Sequence, residues 1–262
     1  MDGLLAWLGR ALAKYLSTPL PQGERVATSP PEKLAETLEP GDVVLIEGNT
    51  RISVAIKYLT QSTWSHAALY LGDALGAPPH DEEPKVLIEA DMRAGVRAVP
   101  LSRYAGLHTR ICRPVGITKE DLRKVIEFAV SRIGERYDLK NVIDLARYLL
   151  PTPPVPSRWR RRMIALGSGD PTRAICSTLI AQAYGAVRYP ILPVYVPSKT
   201  GAPADIEHAA DAQEEMWHIR HYSLYAPRDF DISPYFAIVK PTLAHGFDYR
   251  KLHWAEEQAA TQ

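Results

Sequence analysis

The sequence has few of the features that identify disulfide-bonded, membrane-spanning or nucleic acid-binding proteins. Among 262 residues there are only two cysteines, Cys112 and Cys176, and they form no C-x-x-C pair. A disulfide framework and a zinc knuckle are therefore excluded, and a reducing compartment is indicated. No run approaches the roughly 18 uninterrupted apolar residues of a transmembrane helix. The formal net charge is only +1, so no strong positive field favours nucleic acid as a partner.

Fingerprints of bound metals and nucleotides are also missing from the sequence. Its eight histidines show no H-E-x-x-H spacing, and no glycine-rich phosphate loop is present. We therefore expect neither a metal nor a cofactor. The composition does provide a core, because 46% of the residues are hydrophobic. At this length the chain can form one large domain or two small ones.

The chain divides into three parts by composition. Residues 1–18 have apolar side chains at helical spacing and predict an amphipathic helix, which either packs on the protein's own core or contacts a membrane surface. Residues 19–36 contain several prolines and predict a linker, and residues 37–262 form the main domain. Without a recognisable export signal, the predicted location is cytoplasmic. Peripheral membrane association through residues 4–16 and a basic cluster between Arg158 and Arg162 is the alternative.

Short apolar and β-branched runs predict strands, and two segments with apolar residues at helical spacing predict helices. The strands are expected at residues 43–46, 64–72, 86–90, 109–113 and 235–240, with loops between the third and the fourth. A short helix is expected at residues 52–59. Thr118 and Asp121 make a capping box before a longer apolar pattern, which ends at Gly134.

Cys176 lies in the first turn of a third predicted helix, after a polar, glycine-containing approach. The unpaired amides and the positive end of the helix dipole stabilise a thiolate there, which lowers the pKa of the thiol. The same amides can donate hydrogen bonds to the oxyanion that forms when a thiolate attacks a carbonyl. Position alone leaves a second interpretation open, in which Cys176 is a buried core residue.

Four segments, in this order along the chain, resemble one known family: residues 38–45 (LEPGDVVL), 62–70 (STWSHAALY), 134–138 (GERYD) and 175–177 (ICS). The family comprises the YiiX/YebB-like cysteine hydrolases, which are circularly permuted papain-fold members of the NlpC superfamily. In permuted members the histidine strand precedes the cysteine helix, as His66 precedes Cys176 here. The resemblance implies an α+β, permuted papain-like fold, in which an antiparallel sheet packs against helices that include the cysteine-bearing helix.

The resemblance also implies roles for individual residues. Cys176 is the expected nucleophile and His66 its base. A polar residue on the neighbouring strand orients the imidazole, and Glu89 is our candidate for it. A carboxylate on an otherwise apolar strand requires a cation or a hydrogen-bond donor, although a water-exposed edge carboxylate is the alternative. Tyr137 and Ser177 are the candidates for the oxyanion or substrate-binding site, with simple packing as the alternative for Tyr137.

The activity that the resemblance implies is hydrolysis of an amide or ester through an acyl-enzyme on Cys176. The expected substrate is a small-molecule, peptide or lipid-like amide or ester. Two other functions remain open at this point. One is a thiol acyltransferase acting on lipid or N-acyl substrates, and the other is a non-catalytic binding module on the same fold. Cys112, on a strand between arginines, is expected to be inert.

Overall fold

The computed structural model describes residues 15–19, 27, 29–78, 82–91, 94–136, 175–195, 217–218 and 221–251. Three predicted features lie outside these ranges: most of the amino-terminal helix, Tyr137, and the basic cluster between Arg158 and Arg162. Among the helices that are described, none has the length and apolar character needed to cross a membrane.

The centre of the fold is a six-stranded sheet in which all neighbouring strands run antiparallel. Its strands are β1 (Val43–Ile46), β2 (His66–Tyr70), β3 (Leu87–Asp91), β4 (Gly95–Val99), β5 (Thr109–Pro114) and β8 (Phe236–Val239). Their spatial order is β4-β3-β2-β1-β5-β8, which makes β2 and β1 the central pair. A separate two-stranded sheet joins β6 (Val194–Tyr195) and β7 (Trp217–His218).

The described helices flank this sheet, and the longest of them begins where the sequence predicts. In chain order they are α1 (Pro31–Thr37), α2 (Arg51–Thr60), α3 (Lys119–Ser131), α4 (Ile175–Ala186), α5 (Pro227–Asp231) and α6 (Pro241–Ala244), with 3-10 turns at Leu101–Tyr104, Tyr222–Leu224 and Tyr249–Lys251. The Asp121 amide donates a hydrogen bond of 3.1 Å to the hydroxyl of Thr118. This bond satisfies one of the unpaired amides at the start of α3.

Both faces of the sheet are covered by apolar side chains. On one face, residues of α3 and α4 pack against strand residues in a cluster that includes Val125, Leu179, Ile180, Leu45 and Leu69. On the other face, a smaller cluster joins residues from α1 and the first 3-10 turn to strand residues, among them Leu34, Tyr104, Val44 and Ile46. Alternate residues of β1 enter opposite clusters, as the period of two in a strand requires. The predicted α+β class is therefore confirmed.

Two segments differ from the prediction. The end of the predicted linker, residues 31–36, belongs to α1, which starts at Pro31 and buries Leu34. A proline is compatible with the first helical position because the amide there needs no partner within the helix. The predicted loop before Pro100 contains β4, which pairs with β3 along its whole length. Gly95 and Pro100 bound this strand and do not interrupt it.

The described end of the amino-terminal segment packs on the protein itself. Leu16 is buried, and the Tyr15 hydroxyl accepts a hydrogen bond of 3.0 Å from Arg51. Pro19 forms an isolated bridge with Thr50. These contacts hold residues 15–19 against the start of α2. Membrane contact by the residues that precede them remains a prediction.

The LEPGDVVL segment is held by a buried ion pair. Asp42 is inaccessible to solvent, and both of its carboxylate oxygens accept hydrogen bonds from Arg113, at 2.9 and 2.8 Å. The amide of Glu39 donates a further bond of 2.8 Å to the same carboxylate. Gly41 lies within this turn at a φ of 92°, a conformation that glycine adopts without steric cost. The segment thus fixes the entry to β1 against β5.

Candidate active site

The candidate site lies where the central sheet opens. Among the described strand residues, the ladder between β2 and β3 contains only two pairs, which join residues 69 and 70 to residues 88 and 87. The two strands therefore separate toward the start of β2 and the end of β3. In this part of β2 the ladder with β3 does not include Ala67. The amide of Ala67 instead donates a hydrogen bond to the sulfur of Cys176.

Helix α4 places Cys176 at this opening. The cysteine is the second residue of the helix, as the sequence predicts. Later residues of the helix, Leu179, Ile180 and Tyr184, are buried in the larger apolar cluster and anchor it on the sheet. Cys176 is 5% exposed, and its thiol is hydrogen-bonded to His66. The two side chains that the sequence proposes as a pair are therefore in contact.

His66 connects the sulfur to a carboxylate. It is the first residue of β2, and its Nε2 atom lies 2.6 Å from Oε2 of Glu89. Since Nε2 is used in this way, Nδ1 is the ring nitrogen left for Cys176. Continued antiparallel register would place His66 opposite Asp91, so Glu89 is its diagonal neighbour on the same face of the sheet. The His66 side chain is 22% exposed.

Glu89 is buried and surrounded by donors. Only 2% of its side chain is exposed. Besides His66, its Oε2 atom accepts a short hydrogen bond from the Tyr104 hydroxyl. Its Oε1 atom accepts a bond of 2.9 Å from Nε of Arg97 and lies 3.1 Å from Nε of Arg103. The prediction that this carboxylate meets a cation is confirmed, and the alternative of a water-exposed carboxylate is wrong.

The electrostatics of these contacts favour the charged forms of the cysteine and the histidine. Burial raises the pKa of the Cys176 thiol, but the charge of His66 and hydrogen bonds from His66, Ala67 and Ser177 outweigh burial, so this pKa lies below its ordinary value. Burial also disfavours the charged form of His66, but the charges of Cys176 and Glu89 and their hydrogen bonds raise the pKa of His66 to about 10. Each of these two side chains therefore favours the charged form of the other.

Glu89 remains ionised for related reasons. Burial raises the pKa of this carboxyl, but the hydrogen bond and charge of His66, the hydroxyl of Tyr104 and the charge of Arg103 lower it to about 2. Between about pH 2 and pH 10, the carboxylate is therefore charged while His66 carries a proton. Such a partner fixes the orientation of an imidazole and stabilises its protonated form.

The remaining predicted residues have different surroundings. Ser177 is inaccessible to solvent, and its hydroxyl lies 3.9 Å from the sulfur of Cys176. Its hydroxyl therefore does not face solvent, and its backbone amide is the group placed in the first helical turn. Cys112 is buried in β5, and burial raises the pKa of its thiol far above the ordinary value, as expected of an inert cysteine.

Sequence analysis did not identify Arg97, Arg103 or Tyr104. Arg97 could have been found, because Val96 and Val99 between a glycine and a proline are typical of a short strand. A strand at that position pairs Arg97 directly with Glu89. Arg103 and Tyr104 lie in a 3-10 turn, and no local pattern indicates that this turn folds back over Glu89.

A separate cavity of about 350 Å³ lies beside the carboxyl-terminal half of α4. Its walls include Phe128, Gln182, Tyr189 and Tyr225, and it contains neither Cys176 nor His66. The candidate site at the amino-terminal turn of α4 is therefore separate from this cavity. Among the described residues, no three His, Cys, Asp or Glu side chains converge in a way that could hold a metal ion.

Residues 37–148 match the model of a family described as permuted papain-like amidase enzyme, YaeF/YiiX, C92 family. This segment is therefore similar to a YiiX-like permuted papain family. The matched part includes β1 to β5, with His66 and Glu89. Cys176 follows the matched residues. The resemblance inferred from the four motifs is confirmed, and the family supports a papain-like hydrolase.

One curated protein also matches part of the chain, at 29% identity over 130 residues: the Holliday junction branch migration complex subunit RuvB of Gluconobacter oxydans (strain 621H). The match includes 48% of this chain and 36% of that protein. The chain thus spans little more than a third of the length of this relative, and the match assigns it no activity.

Among solved structures, the crystal structure of metalloprotein YiiX from Escherichia coli O157:H7 aligns with 77% of this chain and 96% of its own. The sequence identity is 15% and the TM-score is 0.42. At this TM-score the two structures cannot be compared residue by residue.

Proposed function

We propose that the protein is a cysteine-dependent hydrolase that cleaves an amide or ester through an acyl-enzyme on Cys176. In this proposal His66 is the acid-base residue and Glu89 orients its ring. The observation that carries the proposal is the unbroken hydrogen-bonded connection from the sulfur through the imidazole to a buried carboxylate. Three elements far apart in the sequence supply these groups, and the amidase family match supports the reaction class.

In the acylation step, the Cys176 thiolate attacks the carbonyl carbon of the substrate. A carbon–sulfur bond forms, and the carbonyl oxygen becomes an oxyanion. Backbone amides in the first turn of a helix need no partner within the helix, and that of Ser177 in α4 is a suitable donor to the oxyanion. The intermediate then collapses: the bond to the leaving amine or alcohol breaks, and His66 gives its proton to that group. The products of this step are a thioester on Cys176 and a neutral His66.

In the deacylation step, neutral His66 accepts a proton from water while the water oxygen attacks the thioester. The carbon–sulfur bond breaks, a carboxylic acid leaves, and the thiolate and imidazolium are restored. Each catalytic cycle therefore changes the charge of His66 twice, while Glu89 stays ionised. The substrate class that fits this chemistry is a small-molecule, peptide or lipid-like amide or ester.

Reactivity of the thiol tests the first requirement of the proposal. The protein is treated with iodoacetamide between pH 5 and pH 9, and the modified residue is identified by peptide mapping. We expect Cys176 to react well below pH 8.5, the pKa of an ordinary cysteine, and His66→Ala to move its reaction to higher pH. Cys112→Ser is the matched control and should leave the profile unchanged. Reaction only above pH 8.5, or at Cys112, would end the proposal.

Trapping the acyl group tests the second requirement. A p-nitrophenyl ester should give a burst of p-nitrophenol and an acyl adduct on Cys176, visible as a mass increase of the intact protein and absent in Cys176→Ser. Decay of the adduct to free acid indicates a hydrolase. Transfer of the acyl group to an added amine or lysolipid in preference to water would indicate the acyltransferase instead. A reactive thiol that never acquires an acyl group would favour a non-catalytic module.

A further inference from the structure

The carboxylate of Glu89 is shared between two sets of donors. Its Oε2 atom receives the His66 ring and the Tyr104 hydroxyl. Its Oε1 atom receives Nε of Arg97, at 2.9 Å, and lies 3.1 Å from Nε of Arg103. One buried negative charge thus faces three cationic side chains, although a single imidazolium is enough for the orienting role described above.

The proposed reaction explains why two additional cations lie beside Glu89. Whenever His66 passes its proton to a leaving group, the imidazolium charge disappears from beside Glu89. A buried carboxylate that loses its only cation is strongly destabilised, and it would take up a proton or withdraw from the ring. A guanidinium group stays charged in proteins, so Arg97 and Arg103 supply positive charge in both halves of the cycle.

We infer that Arg97 and Arg103 are positioning residues that act through Glu89, holding its Oε1 atom so that Oε2 stays ionised and aimed at His66 whether or not the ring is protonated. This inference rests on the proposed function. The final torsion of a glutamate side chain is broad and nearly two-fold, so the carboxylate group alone does not fix which oxygen faces the ring. Two guanidinium groups on one oxygen remove that freedom.

The charged and titratable groups around Glu89 come from four elements. His66 comes from β2, Arg97 from β4, and Arg103 and Tyr104 from the 3-10 turn. On β3 itself, Asp91 lies 3.3 Å from Arg97 and partly offsets its charge. Arg103 has no such second carboxylate among its described ion pairs, and 42% of its side chain is exposed. The two arginines therefore contribute positive charge on the side of Glu89 away from the sulfur.

The test measures how fast Cys176 is alkylated by iodoacetamide as a function of pH, which requires no substrate. In the double variant Arg97→Gln and Arg103→Gln, the loss of two positive charges makes the thiolate less favourable. We expect the acid limb of the profile to move to higher pH, with a rate on that limb at least about threefold lower than in wild type, because two positive charges that favour the thiolate are lost. The Arg97→Lys and Arg103→Lys double variant should restore the limb, because it restores the charge.

Controls separate this inference from the proposed function. Arg123→Gln removes an exposed guanidinium from α3 that pairs with Glu127 on the same helix, and its profile should match wild type. Circular dichroism is used to check that each variant is folded. If the double glutamine variant does not fold, the two single glutamine variants are measured instead. Superimposable profiles of wild type and folded glutamine variants would overturn the positioning role and leave the proposed hydrolase intact. If Cys176 of the wild-type protein reacted only above pH 8.5, as an ordinary cysteine does, both the positioning role and the proposed hydrolase would be overturned.

Discussion

Replacing Glu89 by glutamine should remove a large, pH-dependent part of the protein's stability. The carboxyl is 2% exposed, and its pKa is about 2 in the folded protein against an ordinary value of 4.5. This difference corresponds to about 3 kcal/mol of folding free energy at neutral pH. Because the folded pKa is the lower one, the contribution is present above pH 4.5 and is lost as the pH falls toward 2. At pH 3, about 2 kcal/mol of it has been lost.

The assay is urea unfolding followed by tryptophan fluorescence at pH 6 and at pH 3. Glutamine does not titrate, so the variant does not lose stability in this way at low pH. The difference in unfolding free energy between wild type and Glu89→Gln should therefore be about 2 kcal/mol smaller at pH 3 than at pH 6. The histidine is protonated in the folded protein at both, since the pKa of His66 is about 10. The gap at pH 6 should itself be several kcal/mol, because glutamine leaves buried cations without a counter-charge.

Glu127→Gln is the matched control for the acid series. Glu127 pairs with Arg123 on the surface of α3, with 58% of its side chain exposed, and exposed pairs contribute little to stability. Its gap to wild type should be small and nearly independent of pH. If the Glu89→Gln gap were equally wide at pH 3 and pH 6, the carboxylate would not be held ionised by its surroundings, and the electrostatic account of the site would be wrong.

Three further changes test the fold in the same urea assay. Asp42→Asn should cost about 2 to 3 kcal/mol, because Arg113 loses its buried carboxylate partner and keeps the exposed one of Glu39; a loss below about 1 kcal/mol would contradict the ion pair. Thr118→Ala should cost about 1 kcal/mol through the lost cap of α3, and Thr118→Ser, which keeps a hydroxyl, should stay close to wild type. Gly41→Ala should cost about 1 to 3 kcal/mol because of its φ of 92° and the contact of a new Cβ with Leu122. A neutral result there would mean that the turn relaxes.

The sequence predicts most of the sheet because the strands are short apolar runs between turn residues. The run at residues 43–46 becomes a fully buried central strand, and the capping pair before α3 lies where predicted. Residues 31–37 and 95–99 were harder to predict because the proline and glycine at their ends are also typical of loops. In both cases these residues mark where an element starts or stops.

The candidate site was predictable only in part. His66 and Cys176 are identified by the family motifs, and Glu89 by the cost of a carboxylate on an apolar strand. The arginines and the tyrosine around Glu89 depend on cross-strand register and on the return of a 3-10 turn. Both are set by the whole sheet, so no short stretch of sequence indicates them. The opening between β2 and β3, which admits the end of the cysteine helix, is likewise a property of strand pairing.

The order of these elements has a consequence while the protein is being made. His66, Glu89 and all the other described side chains that contact the carboxylate are encoded before residue 105, whereas Cys176 follows about 70 residues later. At roughly 5 to 20 residues per second, a ribosome needs several seconds to cross that interval. During this time the emerging polypeptide carries the residues proposed for acid-base chemistry but lacks the proposed nucleophile. Under the proposed mechanism, a product released early from translation would therefore form no acyl-enzyme.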